Sequence, residues 1–191
     1  MTIATEKQQT QKLTLTEFLA LPETEPACEF FAGEVSQKPM PKGRHSCLQY
    51  EVCNAINQVA KRDKIAYAFP ELRCTFGDRS FVPDIAVFQW HNIPFLPDGE
   101  VPDRFEIPPD WVIEILSPEQ KVNQVIAKIL YCMEQGSQLG WFVDPDDRSI
   151  LVFWCDRPPV IISAQNSLPT LAGIELNLTA EQIVQWLKMG L

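Results

Sequence analysis

Asp84 and Glu114 are two acids placed at odds with their surroundings. One stands in Phe81-Val82-Pro83-Asp84-Ile85-Ala86-Val87-Phe88 and the other in Trp111-Val112-Ile113-Glu114-Ile115-Leu116, each a carboxylate among apolar neighbours. Both segments are short, β-rich and bounded by turn formers, which predicts central strands covered on both faces. An ionised carboxylate buried without a partner is costly, and two side by side repel, so that one tends to keep its proton. A divalent cation relieves both penalties, because Mg²⁺ is commonly held by one or two carboxylates with waters and phosphate oxygens. With Mg²⁺ or Mn²⁺ bound, such a pair supports activation of water and stabilisation of charge on a phosphoryl group. The competing reading makes each acid a strand-end residue satisfied by backbone or Arg. Two such acids in two buried-type strands favour a site.

Lys128 supplies a third group, on the helix that follows the Glu114 strand. It lies about 60° round that helix from Val125, at the edge of the apolar stripe, where a long side chain reaches past the sheet edge toward the acids. There it orients an attacking water or stabilises transition-state charge. A lysine that merely snorkels off a core-facing helix is the structural alternative. Gln37 to Ser46, with Lys38, Lys42, Arg44 and His45, is the one concentrated basic stretch, and it runs into a helix predicted from Leu48 to Lys61. A basic loop at a helix N-terminus suits a phosphate, and a solvated loop explains the same residues. His45 as a general base has no evident partner, so a loop or helix-capping role is favoured.

The elements that must position these groups follow from capping, periodicity and turn signals. Thr14 and Glu17 form a capping box for a short helix ended by Pro22, and Cys28 to Gln37 reads as a strand pair about Ala32-Gly33. Ile65 to Phe69 and Leu72 to Phe76 read as one bent strand or two short ones, with Gly77-Asp78-Arg79 turning into the Asp84 strand and neighbours pairing as hairpins. A long Pro-rich connection spans His91 to Pro109. Ser117 is the expected N-cap of the next helix, with Pro118 first, an apolar face of Val122, Val125, Ile126, Ile129 and Met133, and Gly136 as its end. Gln138 to Asp144 and Ser149 to Trp154 form a hairpin, Val160 to Ser163 an edge strand, and Thr179 with Gln182 a second capping box. This order predicts an α/β fold with a mixed sheet flanked by helices. Residues 13–191 form one domain behind a flexible polar lead-in, residues 1–12.

Length and composition, 191 residues with 46% hydrophobic and 21% charged, are those of a globular domain. No apolar run is long enough to span a membrane. The first ten residues lack a signal-peptide core, and six scattered cysteines without a Cys-x-x-Cys pair read as free thiols of a cytoplasmic protein. A net charge of −9 argues against broad, non-specific nucleic-acid binding.

Pro83-Asp84, Glu114-Ile115-Leu116-Ser117-Pro118, Lys128, Tyr131, Gly136 and Trp141-Phe142-Val143-Asp144-Pro145 together form a specific motif string. On these residues the chain resembles the Uma family of restriction-endonuclease-like proteins, within the PD-(D/E)XK nuclease superfamily, over Leu13 to Leu187. The resemblance implies a restriction-endonuclease-like fold and a Mg²⁺-dependent phosphodiesterase acting on DNA. Asp84 and Glu114 would be metal ligands, with the backbone carbonyl of Ile115 as a further one. The superfamily lysine, ordinarily two residues after the second acid, is replaced there by Leu116, and Lys128 matches the family's lysine. Glu34 or Glu51 would supply the auxiliary acid found in some superfamily members. An acid that the family often carries early in the following helix is Asn123 here. Cutting two strands favours a homodimer. The leading expectation is a DNA endonuclease. The alternatives are a catalytically silent binding or dimerisation module of the same fold, favoured by the acidic balance and Asn123, and a small phosphate-ester hydrolase, which needs no basic surface.

Overall fold

The computed structural model describes residues 13–190 except Ala32 and Glu119, so the predicted lead-in lies outside the described residues. The described strands are β1 (Cys28–Phe31), β2 (Glu34–Gln37), β3 (Ala66–Pro70), β4 (Cys74–Phe76), β5 (Arg79–Phe81), β6 (Ile85–Gln89), β7 (Trp111–Ile115), β8 (Leu139–Asp144), β9 (Ser149–Trp154) and β10 (Val160–Ser163). The helices are α1 (Leu15–Leu19), α2 (Gly43–Ala60), α3 (Val122–Glu134) and α4 (Ala180–Gln185). A six-stranded sheet runs β10-β9-β8-β7-β6-β3, and a small one runs β2-β1-β5-β4. In the larger sheet β7 and β8 are parallel, joined by α3 as crossover, and the other pairs are antiparallel.

Alternation along β7 sets the layers. Trp111, Ile113 and Ile115 pack with Leu48, Val52 and Ile56 of α2 and Ile183 of α4. Val112 faces the opposite layer, where Val125, Ile129 and Cys132 of α3 meet Phe76 and Phe81 of the small sheet. Strand β7 is therefore buried on both faces, as its composition predicts. The α1 and α4 capping boxes at Thr14 and Thr179 form as expected.

Four local expectations are corrected. Phe81 to Phe88 is not one strand: β5 ends at Phe81, β6 begins at Ile85, and the chain changes sheets between them. Pro83 has no N–H to give a ladder and restricts the residue before it, so the break falls there. Strand β3 pairs with β6 rather than with β4, because Glu71 takes a left-handed turn at φ 49° after Pro70. Helix α2 begins at Gly43, which puts Arg44 and His45 in its first turn rather than in a preceding loop. Helix α3 begins at Val122 with Lys121 as N-cap, whereas Ser117 closes a separate turn by donating its N–H to Gln120 Oε1 at 3.0 Å. Within the long connection, Phe105 is fully buried and bridges to Cys74, its N–H donating to the Arg73 carbonyl at 3.0 Å.

Candidate functional site

Ile85 lies opposite Ile113 in the β6–β7 ladder. One more step in this register places Asp84 across from Glu114, and facing positions of an antiparallel pair project to the same side. Both side chains are completely buried. The Pro83 break delivers Asp84 at the start of β6, where its carboxylate gathers three donors. Oδ2 accepts the Ile115 N–H at 2.7 Å and stands 3.0 Å from His45 Nε2, while Oδ1 is 2.9 Å from Lys38 Nζ. His45 Nδ1 is buried without a hydrogen-bond partner. The proton of a neutral imidazole therefore belongs on Nε2, where Asp84 accepts it.

Lys38 follows β2 and reaches across to this acid. Its ammonium also donates to the Val82 carbonyl at 2.8 Å and to Glu71 Oε2 at 2.9 Å. Gln49 of α2 ties the arrangement together by donating to Glu71 Oε1 at 3.0 Å and to the Asp84 carbonyl at 2.8 Å.

Glu114 is held differently. Lys128 Nζ, from α3, lies 2.9 Å from Glu114 Oε1 and 2.8 Å from Glu29 Oε1. Glu29 Oε1 in turn accepts the Val82 N–H at 2.9 Å. Both Glu114 oxygens are nevertheless buried with no hydrogen bond. The Lys128 charge is close, and the hydrogen bond it makes goes to Glu29.

These environments drive the two acids apart. Burial alone would raise the Asp84 pKa, but the Lys38 charge, the His45 hydrogen bond and the more distant Lys128 outweigh it and hold the carboxyl well below the usual range. For Glu114, burial dominates over Lys128, and repulsion from Asp84 adds to it, pushing the pKa up to about 8. Burial would lower the Lys128 pKa, yet Glu114, Glu29 and Asp84 together raise it above its ordinary value. Lys38 is likewise raised, its desolvation overcome chiefly by Asp84. Asp84 is thus held as a carboxylate, and Glu114 is the acid of this pair that more readily takes a proton.

A cleft of about 620 Å³ opens onto the Asp84 side, lined by Lys38, His45, Gln49, Glu71, Asp84 and Ser117 among others. Of the basic residues expected to meet a phosphate, Lys38 has only 7% of its side chain exposed and is turned inward onto acids. Arg44 pairs on the surface with Asp146 at 2.7 Å, and neither it nor Lys42 lines the cleft. Glu34 is exposed on β2 and Glu51 is half-buried on α2, and neither lines the cleft. The acids that do join the cluster are Glu71, on Lys38, and Glu29, which sequence reasoning left as a strand residue. The setting of Glu29, Cys28-Glu29-Phe30-Phe31, carries the same signal that singled out Asp84 and Glu114. Glu71 and Gln49 carry no such signal.

Among the described residues, no three His, Cys, Asp or Glu side chains converge in a way that could hold a metal ion. The two acids nonetheless fit a cation on one observation, the two Glu114 oxygens buried without a hydrogen bond across from Asp84. Lys38 and Lys128 already stand against these carboxylates as cations.

The central mixed sheet flanked by helices has a restriction-endonuclease-like, nuclease-type architecture. The chain belongs to the Uma2 family, described as "Putative restriction endonuclease", whose sequence profile matches residues 15–181. It is also similar, at 46% identity and a TM-score of 0.90, to a crystal structure described as "a putative nuclease belonging to DUF820 from Anabaena variabilis ATCC 29413". That match covers 92% of this chain and 99% of the other. No protein of curated function matches the sequence. No described helix is long and apolar enough to cross a membrane.

Proposed function

We propose that this chain is a metal-dependent endonuclease that hydrolyses DNA phosphodiester bonds. Asp84 and Glu114 would hold Mg²⁺ or Mn²⁺, with the Ile115 carbonyl as a further ligand. The observation that carries this reading is Glu114, completely buried on a central strand across from Asp84, with both oxygens lacking a hydrogen bond although Lys128 Nζ stands 2.9 Å from one of them. Leaving such a group unsatisfied is expensive, so a fold that retains it has a use for it. A bound divalent ion supplies a more acidic water and neutralises charge on a phosphoryl oxygen. The chain's own groups do the rest. The Ile115 N–H and His45 fix the Asp84 carboxylate in one orientation. Lys128, held between Glu29 and Glu114, keeps a positive charge beside the acids, where it orients the nucleophilic water or meets developing negative charge. Two-fold pairing of the chain would bring two such sites to two strands.

Titration calorimetry with Mn²⁺ on the wild type and on Asp84→Asn tests the site, with binding expected in the first and lost in the second. Plasmid, single-stranded DNA, RNA and a small phosphodiester, each with and without chelator, then test the substrate. Cleavage of the plasmid that chelator abolishes is the expected result. Turnover of the small ester alone overturns the nuclease reading. A catalytically silent module is favoured by one observation, that both central acids already face an ammonium ion. Absence of cation binding in the wild type and in variants freed of those ammonium ions establishes it.

A further inference from the structure

The contacts of Lys38 describe a cation site more closely than a surface lysine. Its Nζ is surrounded by oxygen alone: Asp84 Oδ1 at 2.9 Å, the Val82 carbonyl at 2.8 Å, and Glu71 Oε2 and Oε1 at 2.9 and 3.0 Å. An ammonium has three N–H bonds for these four oxygens. Oxygen-only surroundings of carboxylate and carbonyl are what hard divalent cations select. The cage is built rather than incidental. Glu71 reaches it from a left-handed backbone at φ 49°, a conformation that non-glycine residues hold at a cost and that clusters at functional sites. Gln49 fixes the outer carboxylate and the Asp84 backbone from α2.

We propose that Lys38 is a tethered counter-ion that occupies the cation position at Asp84 and is displaced when a divalent ion enters. This rests on the reading of Asp84 and Glu114 as metal ligands. A cation binding Asp84 Oδ1 must take the lone pair that Lys38 now holds. The backbone of Lys38 stays anchored, its N–H donating to the Ala27 carbonyl at 2.9 Å, so release is a swing of the side chain alone. Four methylenes and the neighbouring cleft of about 620 Å³ allow that swing, and Glu25 and Asp103 in the cleft lining offer the freed ammonium new counter-charges. Lys38 thereby lowers the affinity of the site and keeps its acids satisfied until the ion arrives. It is a positioning residue and takes no part in the bond-breaking step.

Calorimetric titration with Mn²⁺ compares the wild type with Lys38→Met, with Lys38→Gln as an alternative that can still donate to the Val82 carbonyl. Removing the tethered charge is expected to tighten binding by about tenfold or more, whereas Lys38→Arg, which keeps the charge, gives no such gain. In parallel, the wild type is acetylated and read by mass spectrometry. Lys38 is expected to be protected without Mn²⁺ and to become reactive with it, while Lys128 stays protected in both. Equal affinities in wild type and Lys38→Met, or Mn²⁺ binding without any change in Lys38 labelling, overturn the displacement and leave the metal site standing. Binding by Lys38→Met or Lys38→Gln but not by the wild type supports it. No binding by any of them overturns both.

Discussion

Strand β7 has a buried acid at each end, and the two are treated in opposite ways. Asp110, just before the strand, accepts the Gln89 N–H on Oδ2 at 2.8 Å and the side-chain amides of Asn92 and Gln138 on Oδ1 at 2.8 and 3.2 Å. Neutral donors from three segments converge on it and pin the end of β6, the following turn and the start of β8. Glu114, four residues on, is more deeply buried, has no hydrogen bond to either oxygen and faces Lys128 and Asp84 instead. A buried carboxylate is thus not by itself a functional site. What separates the two is whether ordinary amide donors have consumed the lone pairs. Asp110 is built as a structural junction, and Glu114 is left to interact with charge.

The sharpest way to break this contrast is Asp84→Ala, which takes the buried carboxylate from the Lys38 ammonium and leaves the Ile115 N–H without its acceptor in the interior. A loss of about 3–5 kcal/mol in unfolding free energy, measured by denaturant titration, is expected from breaking such a buried pair. Asp110→Ala removes an acceptor from several neutral donors and is expected to cost less, about 1–3 kcal/mol, with no change in Mn²⁺ binding. If Asp110→Ala abolishes cation binding, the division of labour along β7 is wrong. Glu114→Gln acts through a slope rather than an offset. Because the Glu114 pKa rises from 4.5 to about 8 on folding, its contribution to stability is full below pH 4.5 and is lost as the pH climbs to about 8. Melting temperatures of wild type and Glu114→Gln are expected to converge at acid pH, with the wild type falling behind across that window and the gap constant above it. Asp84, whose pKa is lowered from 3.8, has the opposite sign and weakens the fold only as the pH falls below that value. The smallest effect belongs to Gln138→Ala, which takes one of several donors from Asp110 and is expected to cost about 0.5–1.5 kcal/mol.

Much of this arrangement is legible in the chain because it rests on local rules. The capping boxes at Thr14 and Thr179, the β8–β9 hairpin and the burial of β7 on both faces follow from residue type and spacing. Asp84 and Glu114 stand out as acids in apolar strands and Lys128 by its place on the following helix and by family resemblance, and the fold sets Glu114 across from Asp84 and within 2.9 Å of Lys128. The partners that arrive from far along the chain are another matter. Lys38 looks solvent-facing in its Pro-rich basic segment, and only the folding of β1–β2 against the larger sheet turns it onto Asp84. Glu71 depends on a left-handed turn at a non-glycine residue, which no pattern announces. The separation of β5 from β6 was hidden by continuous hydrophobicity from Phe81 to Phe88, although Pro83 marks the break. Ser117-Pro118 imitates a helix start, but Gln120 caps that turn and delays α3 to Val122.

The Lys128–Glu29 bond has a mechanical consequence. Glu29 sits on the small sheet, Lys128 on the crossover helix, and the Val82 N–H that Glu29 also accepts lies in the link joining the two sheets. One ammonium therefore rivets the halves of the molecule together at the point where chemistry is proposed to occur. Whatever redistributes charge among these acids also changes how firmly one half grips the other, so occupancy of the site should be readable as a change in rigidity of β1 and its neighbours.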